Sequence, residues 1–152
     1  MIHRTLTFEQ SATDKIRFRL LWDALLSGSQ VERTKLQRDQ KQQSREDRRA
    51  ERRLKEALVS ISVPIEGEAL ERWIKNGGVL PTSDDEIDRR PRQLNGGGEI
   101  TFEQPDYSRL QRYVEQTPWL VDVVEHVADL EDWLEATPKR DSKKQKDEEE
   151  SK

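Results

Sequence analysis

The chain has 152 residues, with 31 Asp/Glu against 27 Lys/Arg and a formal net charge of -4. Only 32% of the residues are hydrophobic and 38% are charged, and the mean hydropathy is -1.05. That balance predicts one domain with a lean core and extended or disordered parts, and it argues against a deep, enclosed active site. Cysteine is absent, which excludes disulfides, thiolate metal sites, iron–sulfur clusters and cysteine nucleophiles.

The opening MIHRTLTFEQ holds no apolar stretch of signal-peptide length, and no apolar run in the chain is long enough to span a bilayer. A soluble cytoplasmic protein without a membrane partner is the expectation. The charge is unevenly spread. Residues 32–56 hold ten Lys/Arg and six Asp/Glu, whereas residues 60–137 hold seven and seventeen. A basic stripe therefore sits beside an acidic body, a layout suited to contacting nucleic acid or to self-association.

In chain order, Leu6-Thr7-Phe8 alternates and favours a strand. Residues 12–26 place Ile16, Leu20, Leu21 and Leu25 at helical spacing, with Ser11 or Thr13 as cap and Ser27-Gly28-Ser29 as the break. Residues 30–60 contain neither Gly nor Pro, yet Ala50 is the only apolar residue between Gln37 and Arg53. No heptad runs through this stretch, so a simple coiled coil fits poorly. It predicts a charged helical arm whose middle is solvated or disordered and whose C-terminal end is anchored by Leu54, Ala57, Leu58 and Ile61.

Ala69 to Lys75 fits a short helix closed by Asn76-Gly77-Gly78, and Val79-Leu80-Pro81 fits a brief strand. Residues 82–98 are polar, acidic and rich in breakers, and predict a mobile loop. Glu99 to Phe102 alternates as a second strand, and Pro105 or Asp106 opens a helix bearing Tyr107, Leu110, Tyr113 and Val114. Thr117-Pro118 has the form of an N-cap followed by proline at the first helical position, leading into a helix over 119–136 that Thr137-Pro138 ends.

Leu6-Thr7-Phe8-Glu9-Gln10 recurs as Ile100-Thr101-Phe102-Glu103-Gln104, each followed by an amphipathic helix in which Ile16 aligns with Leu110 and Leu20 with Val114. The repeat is either a duplication or common strand chemistry. In both cases the two strands are natural partners, because a lone strand leaves its backbone unsatisfied. The predicted fold is α+β: a two- or three-stranded sheet packed against three or four helices. Its parts are a strand–helix unit at 1–30, a charged arm at 31–60, and a short helix with an acidic loop at 61–98. A strand–helix–helix unit follows at 99–137, then a disordered tail at 138–152.

Catalytic signatures are sparse. His126 has Asp122 and Asp129 at helical spacing, an arrangement able in principle to hold a divalent metal, but abundant acidic neighbours make a solvated helix face the simpler expectation. Asp84, Asp85, Glu86 and Asp88 lack the glycine and ligand spacing of a calcium loop. Gly96-Gly97-Gly98 has neither the spacing nor the position of a phosphate-binding loop, and no serine sits in a nucleophile elbow. No cofactor or metal is expected, and the protein is expected not to be an enzyme.

Two binding readings remain. Trp22, Trp73, Trp119 and Trp133 all fall at apolar helix positions, where core packing is the default and an exposed interface anchor the alternative, Trp133 foremost. The favoured reading is a protein-binding accessory, adaptor, inhibitor or assembly component that docks through Trp119, Val123, Val127, Leu130 and Trp133, with homo-oligomerisation open. The second is nucleic-acid binding through Arg45, Arg48, Arg49, Arg52 and Arg53, contacting phosphates without aromatic stacking. A strand, a helix and a proline-capped helix beside charged segments resemble small accessory proteins of bacterial or viral genomes, with no motif that names a family.

Overall fold

A computed structural model describes residues 2–75 and 92–141, with the side chains of Trp73 and Asp141 left out. The expected C-cap at 76–78, the brief strand at 79–81, the acidic cluster at 84–88 and the tail beyond 141 lie outside the described residues.

Alternating apolar residues build the sheet. Arg4, Leu6 and Phe8 point inward from β1 (Ile2–Phe8), and Ile100 and Phe102 from β4 (Gly98–Glu103). The outer face is polar, with Thr5 and Thr101 joined hydroxyl to hydroxyl at 2.9 Å. The strands pair antiparallel with Leu6 opposite Ile100, so the two copies of the repeat meet about a local two-fold axis. A third strand, β5 (Arg140–Asp141), pairs with the other edge of β1, giving the order β4-β1-β5. The tail expected to be disordered from 138 therefore begins in strand pairing. A separate two-stranded sheet joins β2 (Ser62–Pro64) to β3 (Arg92–Leu94), so the end of the predicted mobile loop is ordered.

Two helices follow the paired strands and pack on each other: α1 (Ala12–Arg38) and α4 (Gln104–Gln116). Ser11 caps α1, its hydroxyl accepting the Asp14 N–H at 3.1 Å. The helix does not break at Ser27-Gly28-Ser29. Gly28 lies where α1 crosses α4, and a Cβ there would stand 2.5 Å from the Tyr113 carbonyl oxygen. The glycine permits close packing of two helices, and the helix hydrogen bonds carry through it. The two helices also align differently from the sequence match. Ile16 is 38% exposed while Leu110 is fully buried. The structural counterparts are buried Asp14, half-buried Arg17 and buried Phe18 in α1 against buried Asp106, half-buried Arg109 and buried Leu110 in α4, because α1 starts four residues after Phe8 and α4 only two after Phe102.

The predicted arm is folded back onto the body. α1 is closed just past its C-cap Asp39 by Gln40, which takes a left-handed φ of 56°, with the Lys41 N–H donating to the Leu36 carbonyl at 2.7 Å. After a short turn α2 (Arg45–Ser60) begins with a capping box between Ser44 and Asp47. Ala50, Leu54 and Leu58 insert into the core. Beside them, α2 and the end of α1 offer carboxylates to α4: Arg109 donates to Asp47 at 2.6 Å, Arg112 to Glu32 at 2.9 Å and the Tyr113 hydroxyl to Glu51 at 3.2 Å. Many charges that read as an exposed stripe are thus contacts between helices.

α3 (Gly67–Lys75) lies in sequence between β2 and β3, the two strands of the smaller sheet, and α5 (Val124–Ala136) closes the fold after a 3-10 turn at Val121–Val123. Arg4 and Tyr107 both donate to the Leu134 carbonyl, at 3.2 and 2.5 Å, satisfying a free acceptor at the end of α5. The buried Arg4 guanidinium also lies 4.6 Å above the Tyr107 ring. Among the described residues no helix is long and apolar enough to cross a membrane.

Candidate functional site

The face proposed from sequence for docking divides in two. Val127 and Leu130 are buried against the core with Leu134, while Trp119, Val123 and Trp133 are half-buried around its edge. Trp133 is not an open anchor: Phe8 meets its ring edge-on at 5.3 Å and the Arg17 guanidinium covers it at 4.9 Å. Trp22 is buried beneath Arg92. The helical spacing of these residues is real, but it points them inward, because a lean core uses its large apolar side chains for burial.

What remains outside is the segment just before that helix. Thr117 is not an N-cap. Its N–H and its hydroxyl both donate to the Tyr113 carbonyl, at 3.1 and 2.7 Å, so it terminates α4. Residue 117 is held extended by the proline that follows, and the Trp119 indole N–H donates back to the Val114 carbonyl at 2.8 Å. The chain is thereby pinned across the end of α4, and the next residues project. Leu120 is 74% exposed, Val121 87% and Val124 52%. These are the three most exposed large apolar side chains among the described residues, and they fall within five positions. Asp122 and Glu125, both exposed, alternate with them. At the foot of this ledge, Pro118 meets Leu26, Ser27, Gln30 and Val31 of α1 around a shallow hollow of about 390 Å³.

A second surface gathers cations. A groove of about 510 Å³ runs between the first half of α1, the start of α3 and β3. Lys15, Arg19, Arg72 and Arg92 line it, with Ile16, Ile65, Ala69 and Leu94 as its apolar part and no carboxylate among the described residues of its lining, although Arg72 pairs with Glu68 of its own helix at 3.9 Å. Arg92 is oriented by Ser62, donating to its hydroxyl at 2.8 Å and its carbonyl at 3.0 Å. Sequence reasoning missed this groove because its cations come from three distant segments, none of them a cluster by itself. Leu120, Val121 and Val124 were visible in the sequence as apolar residues, but the helix predicted over them concealed their exposure.

The basic cluster of α2 also divides. Arg53 donates to both oxygens of Asp106 at 2.9 Å and to Glu46 at 3.1 Å, hydrogen bonds that push its pKa further up. It is a structural ion pair. Arg45, Arg48, Arg49 and Arg52 occupy the solvent face opposite Ala50, Leu54 and Leu58. Of these Arg48 donates to the Gln43 carbonyl and Arg52 pairs with Glu56, while Arg45 and Arg49 extend into solvent.

His126, Asp122 and Asp129 do not come together. Asp129 is turned to Arg17, which donates to its two oxygens at 3.0 and 3.3 Å. Among the described residues no group of three His, Asp or Glu side chains is placed to hold a metal ion. Comparison of the chain with family models, curated proteins and solved structures finds no match.

Proposed function

We propose that this chain is a non-enzymatic, protein-binding accessory or assembly protein that docks through the ledge at Leu120, Val121 and Val124. The observation that carries this reading is the exposure of those three side chains on a segment whose start is pinned to α4 through Thr117 and Trp119, beside a fold that is otherwise short of apolar residues. A contiguous exposed apolar patch marks an interaction surface more often than a scattered one does. Covering the three side chains contributes about 4 kcal/mol, enough only for a weak complex after the cost of association. The carboxylates of Asp122 and Glu125 then select a partner whose apolar surface is rimmed by basic residues and speed its approach.

A second reading, nucleic-acid binding, is favoured by one specific observation: Arg45, Arg48, Arg49 and Arg52 share the solvent face of α2. Site-specific photo-crosslinkers at Val121 and at Arg49, used in separate samples of cells making the full chain, distinguish the two. The expected outcome is a discrete protein adduct from position 121 that V124D abolishes, and none from position 49. Nuclease-sensitive adducts from position 49, with nothing at 121, would reverse the order.

A further inference from the structure

The ledge calls for a surface that is apolar in the middle and basic around it, and this chain carries one. We propose that the ledge of one molecule docks into the cationic groove of a second copy, head to tail; the inference rests on the ledge being a protein-docking surface. The match is chemical on both counts. Leu120, Val121 and Val124 are exposed and flanked by carboxylates, whereas among the described residues the groove pairs an apolar lining with four cations and no carboxylate. Ile16 of the groove, itself 38% exposed, is left open to solvent in the monomer. Opposite charges around two apolar surfaces steer encounter and fix register, and burial of the aliphatic side chains slows release.

One molecule does not satisfy both surfaces by itself. Pro118, at the foot of the ledge, meets α1 around Ser27 and Gln30, roughly 15 Å along the helix axis from Arg19. Both surfaces are anchored to α1 at that separation. The two patches differ, so the contact is heterologous. Each docked molecule leaves one ledge and one groove free, and the assembly either grows as a chain or closes as a ring.

This geometry has a decisive test. V121D removes the ledge and R19E/R72E removes the groove; Val121 and Arg72 are exposed side chains, so thermal melts followed by circular dichroism are expected to match the parent. Sedimentation velocity on the purified full chain is run over a concentration series at roughly 50 and roughly 500 mM salt. The parent is expected to grow in size with concentration, with its association weakened about tenfold or more at the higher salt. Each variant alone is expected to be monomeric. Mixed in equal amounts they are expected to form a one-to-one dimer and nothing larger, because one intact ledge and one intact groove remain. R45E/R49E on α2 is expected to assemble as the parent does.

A parent chain that stays monomeric, variants that still assemble, a mixture that stays monomeric, or loss of assembly in R45E/R49E would each overturn the proposal. The ledge reading fails separately. If the purified chain is monomeric while the crosslinker at position 121 still yields its V124D-sensitive adduct with a different protein, self-docking falls and the ledge stands.

Discussion

In the β1–α1 unit, Asp14 closes the turn it belongs to, accepting the Glu9 N–H at 2.6 Å and an Arg17 N–H at 3.0 Å. In the β4–α4 unit, Asp106 holds the same third position of its helix and is equally buried, but its carboxylate reaches Arg53 on α2. The arginines three residues on differ as well. Arg17 crosses to Asp129 of α5, and Arg109 crosses to Asp47 of α2. Two similar strand–helix openings thus recruit different outer helices, one acidic and one basic. The lesson is that a repeated local pattern sets the inner pair of helices and leaves the outer ones to whichever charges remain unpaired.

The largest expected effect strikes what the two units share. Gly28→Ala drives a methyl group into the Tyr113 backbone at the crossing of α1 and α4, and is expected to cost about 3 kcal/mol in urea unfolding. A loss under 1 kcal/mol would mean that the helices separate easily there. Next, Asp106→Asn is expected to cost about 2 kcal/mol and to speed amide exchange along α2. Asp14→Asn is expected to act only around residues 9–17. If both variants loosen α2 equally, the contrast between the units fails.

The smallest effect is on acid sensitivity. Burial opposes ionisation of Asp47, but hydrogen bonds from Arg109 and Ser44 outweigh it and hold the carboxyl below its usual value of 3.8. Folding therefore favours the ionised form. The stability it contributes is complete above the unfolded value and is lost as pH falls through the lower folded one. Unfolding free energy is expected to drop between roughly pH 5 and pH 3, and Asp47→Asn is expected to flatten part of that drop. An unchanged slope would remove Asp47 from the contacts that hold α2.

Much of the inner fold was legible. The alternation at Leu6–Phe8 and Glu99–Phe102, and the helical spacing after each, led to the strand pairing, to the start of α1 and to α4 near its observed bounds, whereas α1 runs on to Arg38, well past the expected end at 26. The outer parts were misread for identifiable reasons. Ser27-Gly28-Ser29 has the composition of a break, but the glycine serves a helix crossing that only a partner helix reveals. Thr117-Pro118 suits the start of a helix and equally the end of one, and the Tyr113 carbonyl decides between them. The charged stretch 31–53 looked solvated because its partners, Asp106, Arg109, Arg112 and Tyr113, lie more than fifty residues away.

Local chemistry along the chain determined the element types, the pairing of β1 with β4 and the identity of most core residues. Periodicity and capping act over a few residues and survive in one dimension. Tertiary structure alone decided which charges are structural and which are free, and which apolar residues stay outside. Arg53 and Arg49 are four residues apart on one helix, yet one is held by Asp106 and the other extends into solvent. Val121 and Val127 are six residues apart in one valine-rich stretch, yet one forms the ledge and the other the core. Burial and ion pairing depend on what arrives from elsewhere in the fold, and residue type at a single position does not encode that.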